Sequence, residues 1–222
     1  MIKIQPIVRD IVLGEPEAYT SLTEGYMNMS SYAYRIRPLV QARAKKQTTI
    51  TSLVVSLSRL RKEFKKTKPL IHAVPITNIT TKLPLSEIVY ENTNQIIEKL
   101  EALHKNISIT REDFFTTTIG TAELTIVCSS NIAGKIIKYF KVKPKLTINN
   151  LAAVGVSFNT EQFSEPNTIF SLLSVLAKAR INITEIVSTY TELIFVIAEK
   201  DFSQSVLLFS ELHQKSNLKN ED

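Results

Sequence analysis

Apolar positions along the chain fall into two textures. Up to about Lys66 they recur at helical spacing, and beyond Pro69 strand-like runs alternate with amphipathic helices. Ile7, Ile11 and Val12 form a first helical stripe, closed by Gly14-Glu15-Pro16. Residues 16–24 predict a short helix with Pro16 in its first turn and Gly25 as its stop. Asn28 or Ser30 can cap a helix through Ile36, and Arg37-Pro38 predicts its end, because a residue preceding proline disfavours helix. The clearest helix starts at Thr49 or Thr51 and runs to about Lys66. Ile50, Leu53, Val54, Leu57, Leu60 and Phe64 line one side of it, and Ser52, Ser56, Arg59, Lys62 and Lys66 line the other. Residues 65–69 read as a domain boundary, and the polar tail from Lys215 reads as disordered.

The second texture is an internal repeat. Glu91-Asn92-Thr93 opens a helix with Ile96, Ile97, Leu100 and Leu103 as its apolar side. Pro166-Asn167-Thr168 opens another, with Ile169, Leu172, Leu173, Leu176 and Ala179. A hairpin follows each, with second strands at 122–127 and 191–196, and then a further helix at 131–140 and 203–213. The strands preceding the first helices are 83–90 and 152–158, and a β-rich segment at 143–148 completes the first unit. Each unit therefore reads β-α-β-β-α, the split βαβ arrangement of a ferredoxin-like α+β fold. The second unit lacks a fourth strand, and residues 70–76 are its expected donor. The expected layout is an all-helical domain at 1–68, a first βαββαβ unit at 69–148 and a second at 149–222.

The block Ala179-Arg180-Ile181-Asn182-Ile183-Thr184-Glu185-Ile186-Val187-Ser188-Thr189, with the strand Ala153-Val154-Gly155-Val156 and the helix start at Pro166, resembles the ACT domain family. It is most similar to the paired ACT modules of aspartate kinases. The match covers residues 151–212, and the first unit follows it more weakly over about 80–148. The stretches Tyr26-Met27-Asn28-Met29-Ser30-Ser31-Tyr32-Ala33-Tyr34-Arg35-Ile36 and Val54-Val55-Ser56-Leu57-Ser58-Arg59-Leu60 resemble an archaeal family with a helical head and two ACT units, which implies architecture and no activity. The ACT resemblance implies that a small effector, often an amino acid, sits between the loop after the first strand and the following hairpin. Here that implies Asn159, Glu161, Glu165, Asn167, Thr168, Ile169, Asn182 and Ile183. A helix N-terminus favours a carboxylate, and Glu161 or Glu165 would take an ammonium. The family usually has glycine where Asn167 and Asn92 stand; the competing role for both is a plain helix cap.

Charge changes the picture at the N-terminal end. Residues 1–68 carry 13 Lys and Arg against 5 Asp and Glu, a formal +8, so the remainder of the +6 chain carries −2. The first third therefore attracts polyanions, or else presents a solvated basic surface. A helix-turn-helix-like head would present Ser56, Arg59 and Lys62 to a DNA groove and Lys45, Lys46 and Lys66 to phosphates. Tyr32 and Tyr34 are expected in the core, with contact to nucleic acid as the alternative. With 5 glycines and no phosphate-binding glycine loop in the sequence, a nucleotide-binding catalytic domain has no scaffold. His72, His104 and His213 lack metal-ligand spacing with Cys128, which reads as a buried thiol in a reducing compartment. No cofactor, no catalytic residue and no membrane contact are expected. An amino-acid-like effector, DNA and a second copy of the chain are the expected partners, in the cytoplasm, and an adaptor that binds proteins alone is the alternative.

Overall fold

A computed structural model describes residues 3–66 and 70–218, with side chains to Gln214; boundary residues 67–69 and the last of the expected tail, 219–222, lie outside the described residues. The chain divides into a unit of residues 1–72 and a unit of residues 73–222.

The first unit holds α1 (Ile4–Leu13), α2 (Pro16–Glu24), α3 (Met29–Ala44) and α4 (Ile50–Phe64). Their apolar stripes meet in one core that includes Val8, Val12, Leu22, Ile36, Leu57 and Leu60. Side-chain oxygens of Asn28 and Thr49 accept from the amides of Ser31 (3.0 Å) and Ser52 (3.2 Å), so each satisfies an orphan donor at its helix start. Gly25 ends α2 at φ 92°, with the Arg61 guanidinium packed where a Cβ would stand. The expected helix end at Arg37-Pro38 is corrected: α3 runs through Pro38 to Ala44. Proline removes one N–H and strands the carbonyl of Tyr34, but Tyr34 is exposed, so water can take that carbonyl.

The second unit is a six-stranded antiparallel sheet in the order β2-β3-β1-β4-β6-β5. In chain order it comprises β1 (Ile76–Glu91), α5 (Asn94–Glu101), α6 (Leu103–Asn106), β2 (Phe115–Ile119), β3 (Glu123–Ser129) and α7 (Ser130–Phe140). There follow β4 (Leu146–Phe158), α8 (Thr160–Phe163), α9 (Thr168–Lys178), β5 (Ile183–Ser188), β6 (Glu192–Ala198) and α10 (Phe202–Leu218). Two long strands, β1 and β4, run through both repeats. Residues 85–91 of β1 pair with β3, while residues 76–82 pair with 153–158 of β4, which pairs in turn with β6. The fourth strand of the second module is therefore residues 76–82, not 70–76. It is continuous with the expected strand at 83–90. Likewise 143–148 and 152–158 are expected as separate strands, but residues 146–158 form the single strand β4, and 143–145 precede it.

At their midpoints both long strands slip register. The β1–β4 pairing shifts between Lys82 and Leu85 and again before Glu87, and Asn150 sits at φ 58°. These irregularities switch the faces. Ile79 of β1 and Val154 and Val156 of β4 pack under the second module, with Phe195 and Phe209 stacked at 5.4 Å. Ile88 and Tyr90 pack under the first, with Tyr90 and Phe140 stacked at 4.7 Å. Bulges of this kind re-aim side chains without breaking the ladder. The helix-free face buries Leu85, Val127, Leu151, Ala153 and Val196. No helix among the described residues is long and apolar enough to cross a membrane.

Candidate functional site

The second module carries a cleft of about 220 Å³ at the start of α9. It exists because nine residues, 159–167, separate β4 from α9. This loop folds on itself through Thr168, whose hydroxyl donates to the carbonyls of Gln162 (2.9 Å) and Glu165 (3.0 Å). Asn167 enters the helix at φ 68°, and its side chain makes no cap bond. Its carbonyl accepts from the Ser171 amide at 2.8 Å as the first bond of α9. Across the cleft, the Thr189 amide donates to the Glu192 carbonyl (2.9 Å) and the Phe158 amide to the Thr191 carbonyl (2.9 Å), which fixes the hairpin wall. Phe158, Ile169 and Leu193 give apolar walls; Gln162, Ser188 and Thr189 give polar ones.

Four of the eight expected effector residues line this cleft: Glu165, Asn167, Thr168 and Ile169. Asn159 and Glu161 belong to the same loop without lining the cleft. Asn182 and Ile183 stand at the wrong end, since Ile183 pairs with Ile197 while the cleft lies beside Leu193. The reason is geometric. An 11-residue helix carries the chain roughly 16 Å before β5 begins, so the turn after α9 cannot return to its start. The hairpin end reaches the cleft instead, through Ser188 and Thr189. Phe163 and Phe170 were not anticipated. Phe163 is 60% exposed, packs on Tyr190 at 4.9 Å, and forms with Ile169 an apolar rim. The carboxylate of Glu192 turns to the helix-free face, accepting from the Thr80 hydroxyl at 2.7 Å; a Cβ on Gly155 would collide with both groups.

The corresponding place in the first module is closed. Only Asn92 and Thr93 separate β1 from α5. The Asn92 side-chain amide donates to the Gly120 carbonyl (2.7 Å) and its backbone N–H to Ala122 (3.0 Å), which draws the hairpin onto the helix start. Thr93, not Asn92, caps α5 by accepting from the Ile96 amide at 3.3 Å.

On the helical unit, Arg59, Lys62, Lys66 and Lys45 are exposed and Lys46 is half-buried. Ser56 is buried with Leu53, Leu57 and Leu60, so it cannot meet a groove as expected. Tyr32 is buried, and its hydroxyl donates to Glu15 at 3.1 Å. Tyr34, expected in the core, faces solvent. Burial, with the charge of Asp113 adding to it, pushes the Cys128 thiol up to about 12, well away from the thiolate form. Among the described residues no group of three or more His, Cys, Asp or Glu could hold a metal ion.

The architecture is that of the regulatory domains of aspartate kinases, the ACT fold. Aspartate kinase from Clostridium acetobutylicum superposes with a TM-score of 0.53 at 19% identity, covering 67% of this chain and 37% of that one. The chain thus spans little more than a third of that enzyme's length. The regulatory subunit of aspartate kinase from Thermus flavus superposes at 0.52 with 10% identity, covering 62% of this chain and 98% of that one. Aspartokinase alpha and beta subunits give 0.50 at 13% identity, covering 63% and 99%. The covered share is close to the two thirds of the chain that the sheet-bearing unit makes up. No family model and no curated protein matches the sequence.

Proposed function

We propose that this chain is a ligand-sensing regulator without catalytic chemistry of its own, in which the cleft at the start of α9 takes an amino acid or a close analogue. One observation carries the reading: a nine-residue loop opens a cleft in the second module where a two-residue loop seals the first. The free amides and positive end of α9 suit the ligand's carboxylate. Glu165 suits its ammonium, and Phe158, Ile169 and Leu193 suit an apolar side chain. The exposed rim of Phe163, Ile169 and Tyr190 suits a second copy of the chain, and so does the unpaired edge strand β5. In this reading the layout is a helical head at 1–68 and modules at 69–148 and 149–222, with residues 76–82 crossing between modules. The exposed Lys45, Arg59, Lys62 and Lys66 support a polyanion such as DNA as the head's partner.

The test is a thermal-shift screen of the twenty amino acids, run with and without duplex DNA at low salt. A ligand at a hundred times its Kd stabilises by about 2.7 kcal/mol, and Ile169→Trp, which fills the cleft, should abolish the shift. If effector and DNA are linked, each changes the other's affinity by the same factor. Amino-acid shifts without DNA binding would leave a sensor that acts through protein partners. No shift with any amino acid at millimolar concentration would end the sensor reading.

A further inference from the structure

The first module has its own insertion, at the opposite end. From the start of α5 to the start of β3 is 29 positions, against 24 from the start of α9 to the start of β6. The extra residues fall in the loop 107–114, and this loop roofs a second cavity, of about 500 Å³, over the β3–α7 junction. Its walls are already fixed. Asp113 accepts from the Thr110 amide (2.9 Å), the Thr110 hydroxyl (2.8 Å) and the Asn131 side chain (3.1 Å). The Phe114 amide donates to the Ser129 hydroxyl (2.8 Å), and the Lys82 ammonium donates to the Glu112 carbonyl. The Ser130 hydroxyl is tied to Ser86 at 2.9 Å, and Ser86 donates to Asn149 at 3.0 Å.

We infer that this cavity is a second binding site, for a small acidic zwitterion such as an amino acid bearing an additional carboxylate or phosphate. The lining matches that charge pattern. Lys82 and Lys135 supply two cations, while the Asp113 carboxylate is taken up by its three donors, leaving Glu112 as the carboxylate open to an ammonium. The hydroxyls of Ser108 and Ser130 fill the space between with donors and acceptors, and among the described residues no aromatic ring lines the cavity. The cleft at α9 has the opposite character, with three phenylalanines in its wall. Each module thus carries one site, built by its own insertion and selecting a different ligand polarity.

Isothermal titration of the full-length protein with O-phosphoserine and with glutamate tests this. At least one should bind, and Lys135→Ala and Glu112→Gln should each weaken it tenfold or more, with Lys135→Arg restoring much of the loss. Both changed residues are exposed, so the fold is retained. Ile169→Trp should leave this binding unchanged, which separates the site from the effector cleft. Three outcomes would overturn the assignment: no binding of either probe at millimolar concentration, binding indifferent to Lys135→Ala, or inorganic phosphate binding as tightly as O-phosphoserine.

Discussion

The two modules of the sheet-bearing unit share strand order, helix placement and a stacked aromatic pair in the core, yet their loops are opposites. The first spends its extra residues between helix and hairpin and seals the junction of β1 and α5 with Asn92. The second spends them between β4 and α9 and leaves that junction open. A duplicated core therefore fixes where a site can form, and loop length decides which end of each copy carries one. Because residues 76–82 of the first repeat complete the second, the two copies form one sheet while presenting different surfaces.

The sharpest way to break this comparison is to ask whether the copies are energetically separate. Phe140 and Phe209 are fully buried, each stacked on a strand residue of its own module. Replacing either by alanine should cost about 3–5 kcal/mol through lost burial and a cavity. With β1 and β4 shared, both variants should lower the midpoint of a single urea transition of this unit. A variant that splits the transition, with one module melting while the other persists, would show that strand sharing does not couple them.

Much of both units was legible from periodicity, and the failures have physical causes. The helix at 50–64 declared itself because six apolar residues hold one stripe. Its polar side was misread at Ser56, since a small hydroxyl can sit in a core where a lysine cannot. Ile76-Thr77-Asn78-Ile79-Thr80-Thr81 hides its strand among exposed polar residues. Asn150 lies between the expected strands at 143–148 and 152–158, yet it adopts its left-handed conformation within β4, as a kink in a continuous strand. The cleft was half legible. Glu165 to Ile169 follow from the helix start, whereas Ser188 and Thr189 needed the pairing direction of β5.

A smaller effect separates Asn92 from Asn167, which occupy corresponding positions and share a plain helix cap as their competing role. Asn92 works through its side-chain amide, so Asn92→Ala and Asn92→Gly should both cost about 1 kcal/mol for the lost bond to Gly120. Asn167 works through its backbone at φ 68°. There Asn167→Ala should cost about 1 kcal/mol, because alanine lacks the short polar side chain that lets asparagine tolerate the left-handed region. Asn167→Gly should be close to neutral. Urea denaturation of the four variants decides it; equal losses for Ala and Gly at position 167 would mean that its side chain matters after all.

The smallest expected effect tests the helix-free side of the shared sheet, where charge from one module reaches the other. Glu87 of β1 is 7% exposed there, and one of its carboxylate oxygens has no hydrogen-bond partner. Burial, with the charge of Glu185 from the second module adding to it, holds its pKa above the ordinary 4.5. A carboxyl raised in the folded state binds its proton more tightly there than in the unfolded chain. Its contribution to stability is therefore most favourable below pH 4.5 and is lost as pH rises through the folded value. Glu87→Gln should raise the melting temperature at neutral pH, and the gain should shrink toward zero as pH falls below the ordinary 4.5, where the carboxyl becomes neutral in both states. Glu185→Gln should give a lesser gain, because it removes the charge repulsion and leaves the burial cost in place. A gain at position 87 that does not vary with pH would assign the effect to packing. Equal gains at both positions would instead make the charge between the modules, not burial, the dominant cost.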